Sequence, residues 1–536
     1  MATLMLETTR ATQVEKRKLQ RHFRRFDVFF YLICTVVTID TIGAVASDGA
    51  QGFTWLVFLA VFFFLPYALI VAELGSAFPE EGGQYVWTRL AFGRLVSCVN
   101  SVIYWVSNPI WVGGSLTIVA LATIGEFFTP LSGVSKYVFA LAFIWFTIGT
   151  AIISLRYGKW VPTVGAWARG AVLGFFTVSV IVYATKHGVH GFGFGDFSPT
   201  YAMFIAAVPV LFFNFAGLEV PSAAGEEMTN PRRDVPFAVL WSGLATVLAY
   251  GIPILGILIV LPRSQIFGLT GFIDAARAVF TVYGGHVASN GTVILTGAGK
   301  VLGDAAAITF IWAIASAGAT WIMGADRSEA IAAADGGGPR LLGYFSKRLG
   351  TPIAVNLLSG LVATVLMVLA FTLTGGNANR YFEAVLGLTI STTTISYMFI
   401  FPAFVRLRYK YAEVERPYRV PGGTAIAWAL SALTTLWALL ATVALIWPGF
   451  GVDWFGQHAN PNDALAALSF PHERLQYELS QIVPLIVLVA VGLVFYGAGR
   501  RTRLQSVAGP LEPGEAPLGG GIVEAPVETG STGTQL

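Results

Sequence analysis

Twelve stretches of about 20 mostly apolar residues run along the chain, each the length that crosses a bilayer core. They fall at roughly 26–49, 53–77, 97–125, 135–155, 160–184, 201–228, 236–261, 300–325, 352–373, 382–405, 427–447 and 481–498. Lipid offers no partner to backbone N–H and C=O groups, so such stretches must be helices. The sequence therefore predicts an all-α integral membrane protein of about twelve transmembrane helices. Composition agrees: 12% of the 536 residues are charged, against about 25% in soluble proteins. That argues against a soluble enzyme, a disordered scaffold or a nucleic-acid binder. The two cysteines, Cys34 and Cys98, lie in apolar segments, and none of the six histidines falls mid-span. No disulfide framework, metal site or cofactor is expected.

Charge placement gives an orientation. Residues 1–25 form a polar, basic tail, and the apolar run behind them is too long for a cleavable signal. With that tail in the cytoplasm, twenty-five of the thirty-three Lys and Arg residues fall on the cytoplasmic side, as the positive-inside rule requires. Both termini are then cytoplasmic, in a multi-pass protein of the plasma membrane. The excess of Arg over Lys suggests a bacterial inner membrane. A short amphipathic helix is expected near 271–283, a polar outer loop at 448–479 and a disordered tail over 501–536.

Two spans are interrupted. The first carries Asp40, Gly43 and Gly49, and the sixth reads AsnPheAlaGlyLeuGluValProSer over 214–222. Pro221 suits the first turn of a helix that restarts there. Broken helices at membrane depth line protein or a water-filled cavity, and matched breaks in two halves of a chain point to a transporter site. Their separation of five spans is odd, so the copies run in opposite directions. The predicted organisation is an inverted repeat, helices 1–5 over 26–199 and helices 6–10 over 200–425, with helices 11 and 12 over 426–500. Half-helix amides at such breaks attract anions and half-helix carbonyls attract cations, so one small zwitterion satisfies both. No HEXXH motif and no nucleophile–base pair suggests an intramembrane enzyme, and no selectivity-filter loop suggests a channel.

Four segments carry a family resemblance. They are AlaGluLeuGlySerAlaPheProGluGluGlyGlyGlnTyrValTrp at 72–87, GlyGluGluMetThrAsnProArgArgAspValPro at 225–236, the stretch 325–352 with its AlaAspGlyGlyGlyPro and ThrPro, and ArgProTyrArgValProGly at 416–422. Over about residues 26–425 the chain resembles the amino acid–polyamine–organocation superfamily, whose members share the leucine-transporter fold. The resemblance implies secondary active transport of an amino acid or related amine by alternating access, with substrate held between the unwound parts of helices 1 and 6. The family's Gly-Ser-Gly-like break is here Thr41, Ile42, Gly43 and Ala44, a departure that bears on how a substrate carboxylate is held.

The candidate substrate-binding residues are Asp40, Thr41, Ile42, Gly43, Ala44, Phe215, Ala216, Gly217 and Glu219; Asp40, Glu219, Arg169 and Ser316 are candidates for coupling or gating. An ionisable group at the bilayer centre costs on the order of 3 kcal/mol, which makes each a functional hypothesis. Asp40 either binds a substrate ammonium or a coupling proton, or caps the resumed half-helix. Glu219 either gates or exchanges protons, or bonds loose backbone. Arg169, always charged, argues against sodium coupling, or else serves as a counter-ion. Trp105, Trp111 and Trp312 are candidate stacking partners for substrate. Glu73, Asp326 and Arg327 are expected in gate or fold-holding pairs, and Glu226 and Glu227 in structural contacts. The expected partners are a small-molecule substrate, protons rather than sodium, and the lipid bilayer. Amino acid against cationic amine, symport against exchange, and a substrate-sensing role without flux stay open, as does oligomeric state.

Overall fold

The computed structural model describes residues 9–505 other than 158–159, 190–192, 262–265, 267–268, 289–290, 374–377, 456–463 and 467. Among these, ten helices are long and apolar enough to cross a bilayer. They are α1 (Arg25–Ser47), α2 (Ala50–Ala77), α3 (Arg94–Phe127), α4 (Gly133–Ile153), α5 (Trp160–His187), α7 (Pro231–Val260), α8 (Gly297–Gly337), α10 (Asn379–Lys410), α11 (Gly423–Ile446) and α12 (Arg474–Ala498). Two shorter apolar helices, α6 (Tyr201–Asn214) and α9 (Ile353–Leu369), complete the expected twelve. Their packing is graded. In the most apolar window of α1 and of α3, 78% of residues are buried, but only 11% in α12. The first two are core elements and the last is a lipid-facing cover.

Five spans differ from the sequence reading by five residues or more: the tenth runs on to Lys410 rather than 405, the twelfth begins at Arg474 rather than 481, and the other three have a clear local cause. The sixth was expected to run to 228 but stops at Asn214, followed by a turn and a 3-10 segment, Val220–Glu227. The cause is Gly217, whose φ of +112° no helix can hold. The seventh begins at Pro231, not 236, because Pro231 and Asp234 suit a helix start. The eighth runs well past 325, because its polar end, Asp326 to Glu329, is fully buried in protein. The amphipathic outer helix is present as Gly271–Phe280. It leads into an unforeseen hairpin of β1 (Gly285–Val287) and β2 (Val293–Leu295), antiparallel with Gly285 opposite Leu295. Residues 506–536, where a disordered tail was expected, lie outside the described residues, as does part of the 448–479 loop. Both ends of the described chain meet the turn Ala333–Gly337 at the end of α8. The Thr9 amide donates to Asp335 (2.9 Å), and Arg503 donates to the Gly336 carbonyl.

Candidate substrate site and gate

The break in α1 falls at Val37–Thr41. The regular helix ends at Val36, one 3-10 turn covers Ile39–Thr41, and α-helix resumes at Ile42. Tyr250 of α7 holds the loosened backbone: its hydroxyl accepts from the Thr38 amide (2.7 Å) and donates to the Val36 carbonyl (2.8 Å). Asp40 is 4% exposed. Its Oδ2 accepts from Trp111 Nε1 (3.0 Å) and Ser115 Oγ (3.3 Å), both on α3, whereas Oδ1 has no hydrogen-bond partner. A π-helical turn, Val112–Leu116, brings Ser115 into place; such turns mark functional positions in helices. The resumed helix has no side-chain cap among the described residues, and the Asp40 carboxylate is turned to α3, although Asp40 keeps its place in the first turn at the break. Aromatic rings line this region: Trp111 stands edge-on to Phe213 (5.8 Å) and to Trp321 (6.3 Å). Thr41 bonds back to the Thr38 carbonyl, and Ile42 is buried. Gly43 lies against Gly271 of the outer helix, and Ala44 is half-buried.

At the second break, the Gly217 and Leu218 amides donate to the Tyr67 hydroxyl (3.2 and 2.9 Å), and the Gly217 amide also reaches Tyr397 (3.0 Å). The same hydroxyls donate onward to Glu219. Tyr67 bonds its Oε2, while Tyr104 (2.7 Å) and Tyr397 (2.8 Å) bond its Oε1. A buried carboxylate is thus solvated by three phenols from α2, α3 and α10, with no cation bonded to it among the described residues. Sequence reasoning missed all three tyrosines, and also Asn214. Asn214 ends α6 fully buried, with neither its amide nitrogen nor its oxygen paired. Phe215 stacks on Phe64 (4.6 Å) and meets Tyr250 edge-on, so Phe213 is the ring placed on Trp111 beside Asp40. Ala216 is buried beside it. Of the other aromatic candidates, Trp105 donates to Ser359 (2.8 Å), and Trp312 stacks on Trp160 (5.8 Å), itself 46% exposed.

Arg169 is 1% exposed and bonds no carboxylate directly among the described residues, although it lies close enough to Asp40 for its charge to act on that carboxylate. Its guanidinium donates to the carbonyls of Val37 (2.8 Å), Gly165 (2.7 Å) and Ala313 (2.7 Å), to Ser316 Oγ (3.1 Å) and to Cys34 Sγ (3.3 Å). The half-helix end of α1 therefore receives its positive charge from a fixed side chain. Ser316 lies within that set of acceptors.

All four family segments meet on the basic face. Arg327 of α8 bonds Glu81 (2.5 Å) and Glu227 (2.8 Å). Glu73 accepts from Arg408, Arg416 (3.2 Å) and the Val420 amide (2.7 Å). Asp335 takes Tyr85 (3.0 Å) and Arg94 (3.1 Å). The N-terminal segment closes over them: Lys16 pairs with Glu226 (2.6 Å), and the His22 and Phe23 amides donate to the Glu227 carbonyl. Asp326 departs from expectation, since it accepts from Asn356 (2.6 Å) and Ser359 (2.8 Å) and pairs with no cation among the described residues.

Two unwound helices, buried acids beside the breaks and a network of buried acids and arginines on one face are the features of an alternating-access secondary transporter. The family model for amino acid permeases matches residues 23–454. The chain belongs to that family. It is 28% identical to an uncharacterized transporter of Legionella pneumophila over 78% of this chain and 88% of that one. It is 26% identical to a probable agmatine/putrescine antiporter of Lactococcus lactis, over 78% and 87%. A glutamate/gamma-aminobutyrate antiporter of the same organism is 23% identical, over 78% and 83%. The fold is similar to that of the solved Eremococcus coleocola manganese transporter (TM-score 0.51, 12% identity, 89% of this chain and 95% of that one).

Proposed function

We propose that this permease exchanges small solutes bearing an ammonium group, amines foremost, across the plasma membrane. The observation that carries the reading is Asp40: a buried carboxylate with one oxygen satisfied by α3 and the other unpaired, beside Trp111 and Phe213. A bare carboxylate oxygen among aromatic rings is the chemistry that recognises an ammonium. Asn214 supplies a second unpaired donor and acceptor, suited to a polar group elsewhere on the substrate. The break amides of α6 are already taken by Tyr67 and Tyr397, which leaves a substrate carboxylate less well provided for. Relatives named as antiporters of an amine pair and of an amino acid pair support exchange.

Sodium is not required, because Arg169 fills the carbonyl and hydroxyl set at the end of the first half-helix. A proton is the remaining coupling ion, with Glu219 its carrier. Protonation turns one carboxylate oxygen into a donor, so a tyrosine must let go and the α6 break is freed. With the basic face cytoplasmic, the conformation described is closed to the inside. The two halves, 26–199 and 200–425, move against each other around the site.

The test is uptake into proteoliposomes of labelled agmatine, putrescine, lysine, glutamate, γ-aminobutyrate and neutral amino acids. It is run with and without an internal solute, sodium and a pH gradient. An amine taken up only into preloaded vesicles, without sodium, and lost in Asp40→Asn is the expected result. Uptake of an acidic or neutral amino acid unchanged in Asp40→Asn overturns the amine assignment. Binding without flux overturns transport in favour of sensing.

A further inference from the structure

The segment between α10 and α11, residues 411–422, covers a cavity of about 220 Å³ on the basic face. Its lining includes three arginines, Arg408, Arg416 and Arg419, with Tyr409, Val414 and Thr424, and no acidic residue. Two of the arginines are already committed. Arg408 grips Glu73 and the Gly423 carbonyl, and Arg416 reaches Glu73 and the carbonyls of Val414, Leu407 and Tyr411. Arg419 is exposed and makes no hydrogen bond or ion pair with any described residue. Partial burial, with Arg408 and Arg419 adjoining, holds Arg416 below the usual guanidinium range, although Glu73 opposes the shift and Glu413 is close enough to oppose it too. Positive charge is crowded here, and an arriving anion relieves it.

The setting says which anion. Tyr409 is 61% exposed and accepts from the Nε1 of Trp428, itself 54% exposed, and Ile426 on the same helix as Trp428 is 45% exposed. Half-wet tyrosine and tryptophan next to bare apolar side chains mark the level of lipid headgroups. Guanidinium groups bind phosphate oxygens in a bidentate manner, and basic pockets between helices on the cytoplasmic side take acidic headgroups. We propose that this cavity binds the phosphate of an anionic phospholipid, with Arg419 as its dedicated ligand and Arg408 and Arg416 as its charged walls. The bound headgroup pins the 411–422 segment over Glu73, whose clamp is part of the gate. The inference is independent of which solute is transported.

The experiment is thermal unfolding of the purified full-length protein in a zwitterionic detergent. It is titrated with short-chain phosphatidylglycerol, short-chain phosphatidylcholine or inorganic phosphate. Phosphatidylglycerol is expected to raise Tm and phosphatidylcholine to leave it unchanged. Arg419→Gln, which breaks no bond in the folded protein, is expected to lose at least half of the rise; Arg233→Gln, on the same face outside the cavity, is expected to keep it all. An equal rise with inorganic phosphate moves the site to a free phosphate and overturns the lipid assignment. Equal rises in wild type and Arg419→Gln, or equal losses in Arg419→Gln and Arg233→Gln, overturn the site itself.

Discussion

Asp40 and Glu219 are both buried acids at helix breaks, yet their surroundings differ. Asp40 keeps a bare oxygen, whereas Glu219 is closed in by phenols that also hold the Gly217 amide. Gly217 is the hinge of that arrangement. At φ +112°, an added Cβ would lie 2.7 Å from the Trp321 ring. Gly217→Ala is therefore expected to cost at least about 1–2 kcal/mol from the backbone alone, and more as Trp321 is pushed away. A lower Tm together with loss of transport is the expected pair of results; a silent substitution would show that the break is not held as described. Arg169→Lys tests the other end. A lysine offers one ammonium where the guanidinium spans carbonyls on α1, α5 and α8. At least one acceptor at the break is left unpaired, on the order of 2 kcal/mol. Unchanged Tm in Arg169→Lys would mean that the carbonyls find other partners.

The four segments of the basic face were legible as motifs but not as one network. The segments at 72–87, 225–236, 325–352 and 416–422 stand out in the sequence because each brings charge, Gly and Pro together beside an apolar run. Their convergence is a tertiary fact: Glu73 and Arg416 are far apart in the chain and 3.2 Å apart in space. The interrupted spans could be read because Gly, Pro and acids are rare neighbours in an apolar run. Tyr67, Tyr104 and Tyr397 could not, since a tyrosine in an apolar helix looks like core packing until three of them point at one carboxylate.

Two tests belong to the gate elements. Removal of residues 1–23 deletes the Lys16–Glu226 pair and the bonds of Thr9 to Asp335 and to the Ala334 carbonyl. A cysteine placed at Ala334, now 3% exposed, is expected to react with a thiol reagent on the order of tenfold faster, the factor that 1.4 kcal/mol of opening gives. No change in rate would make the N-terminal segment a passenger. Glu81 gives the gate a pH dependence. Burial pushes its carboxyl up to about 8, with Arg327 pulling against the shift and Glu227 adding to it. The folded chain thus keeps a proton that the unfolded chain releases near 4.5. This contribution to stability is complete below about pH 4.5 and declines as pH rises toward about 8. Thermal unfolding followed across that window should show the decline in wild type, with a flatter profile in Glu81→Gln. An equal slope in both would assign the dependence to another group.

For the whole molecule, the exchange reading follows from what an empty carrier must carry. To change sides without cargo, the protein has to move Asp40 through its closed form with one oxygen unpaired. A buried charge that has lost its partner costs several kcal/mol, and every 1.4 kcal/mol of added barrier slows the empty return tenfold. On the proposed reading, a bound ammonium would remove that cost in both directions, so loaded steps are expected to be fast and the unloaded step slow. Efflux of a preloaded amine is therefore expected to rise at least tenfold when an amine is supplied outside. Asp40→Asn removes the charge and with it the asymmetry: affinity for amine falls, but the residual efflux at saturating amine should no longer depend on external solute. Residual efflux that still requires external amine in Asp40→Asn would place the exchange constraint elsewhere in the cycle. Glu219, held by its three tyrosines, would then be the group to substitute next, with Glu219→Gln measured in the same efflux assay.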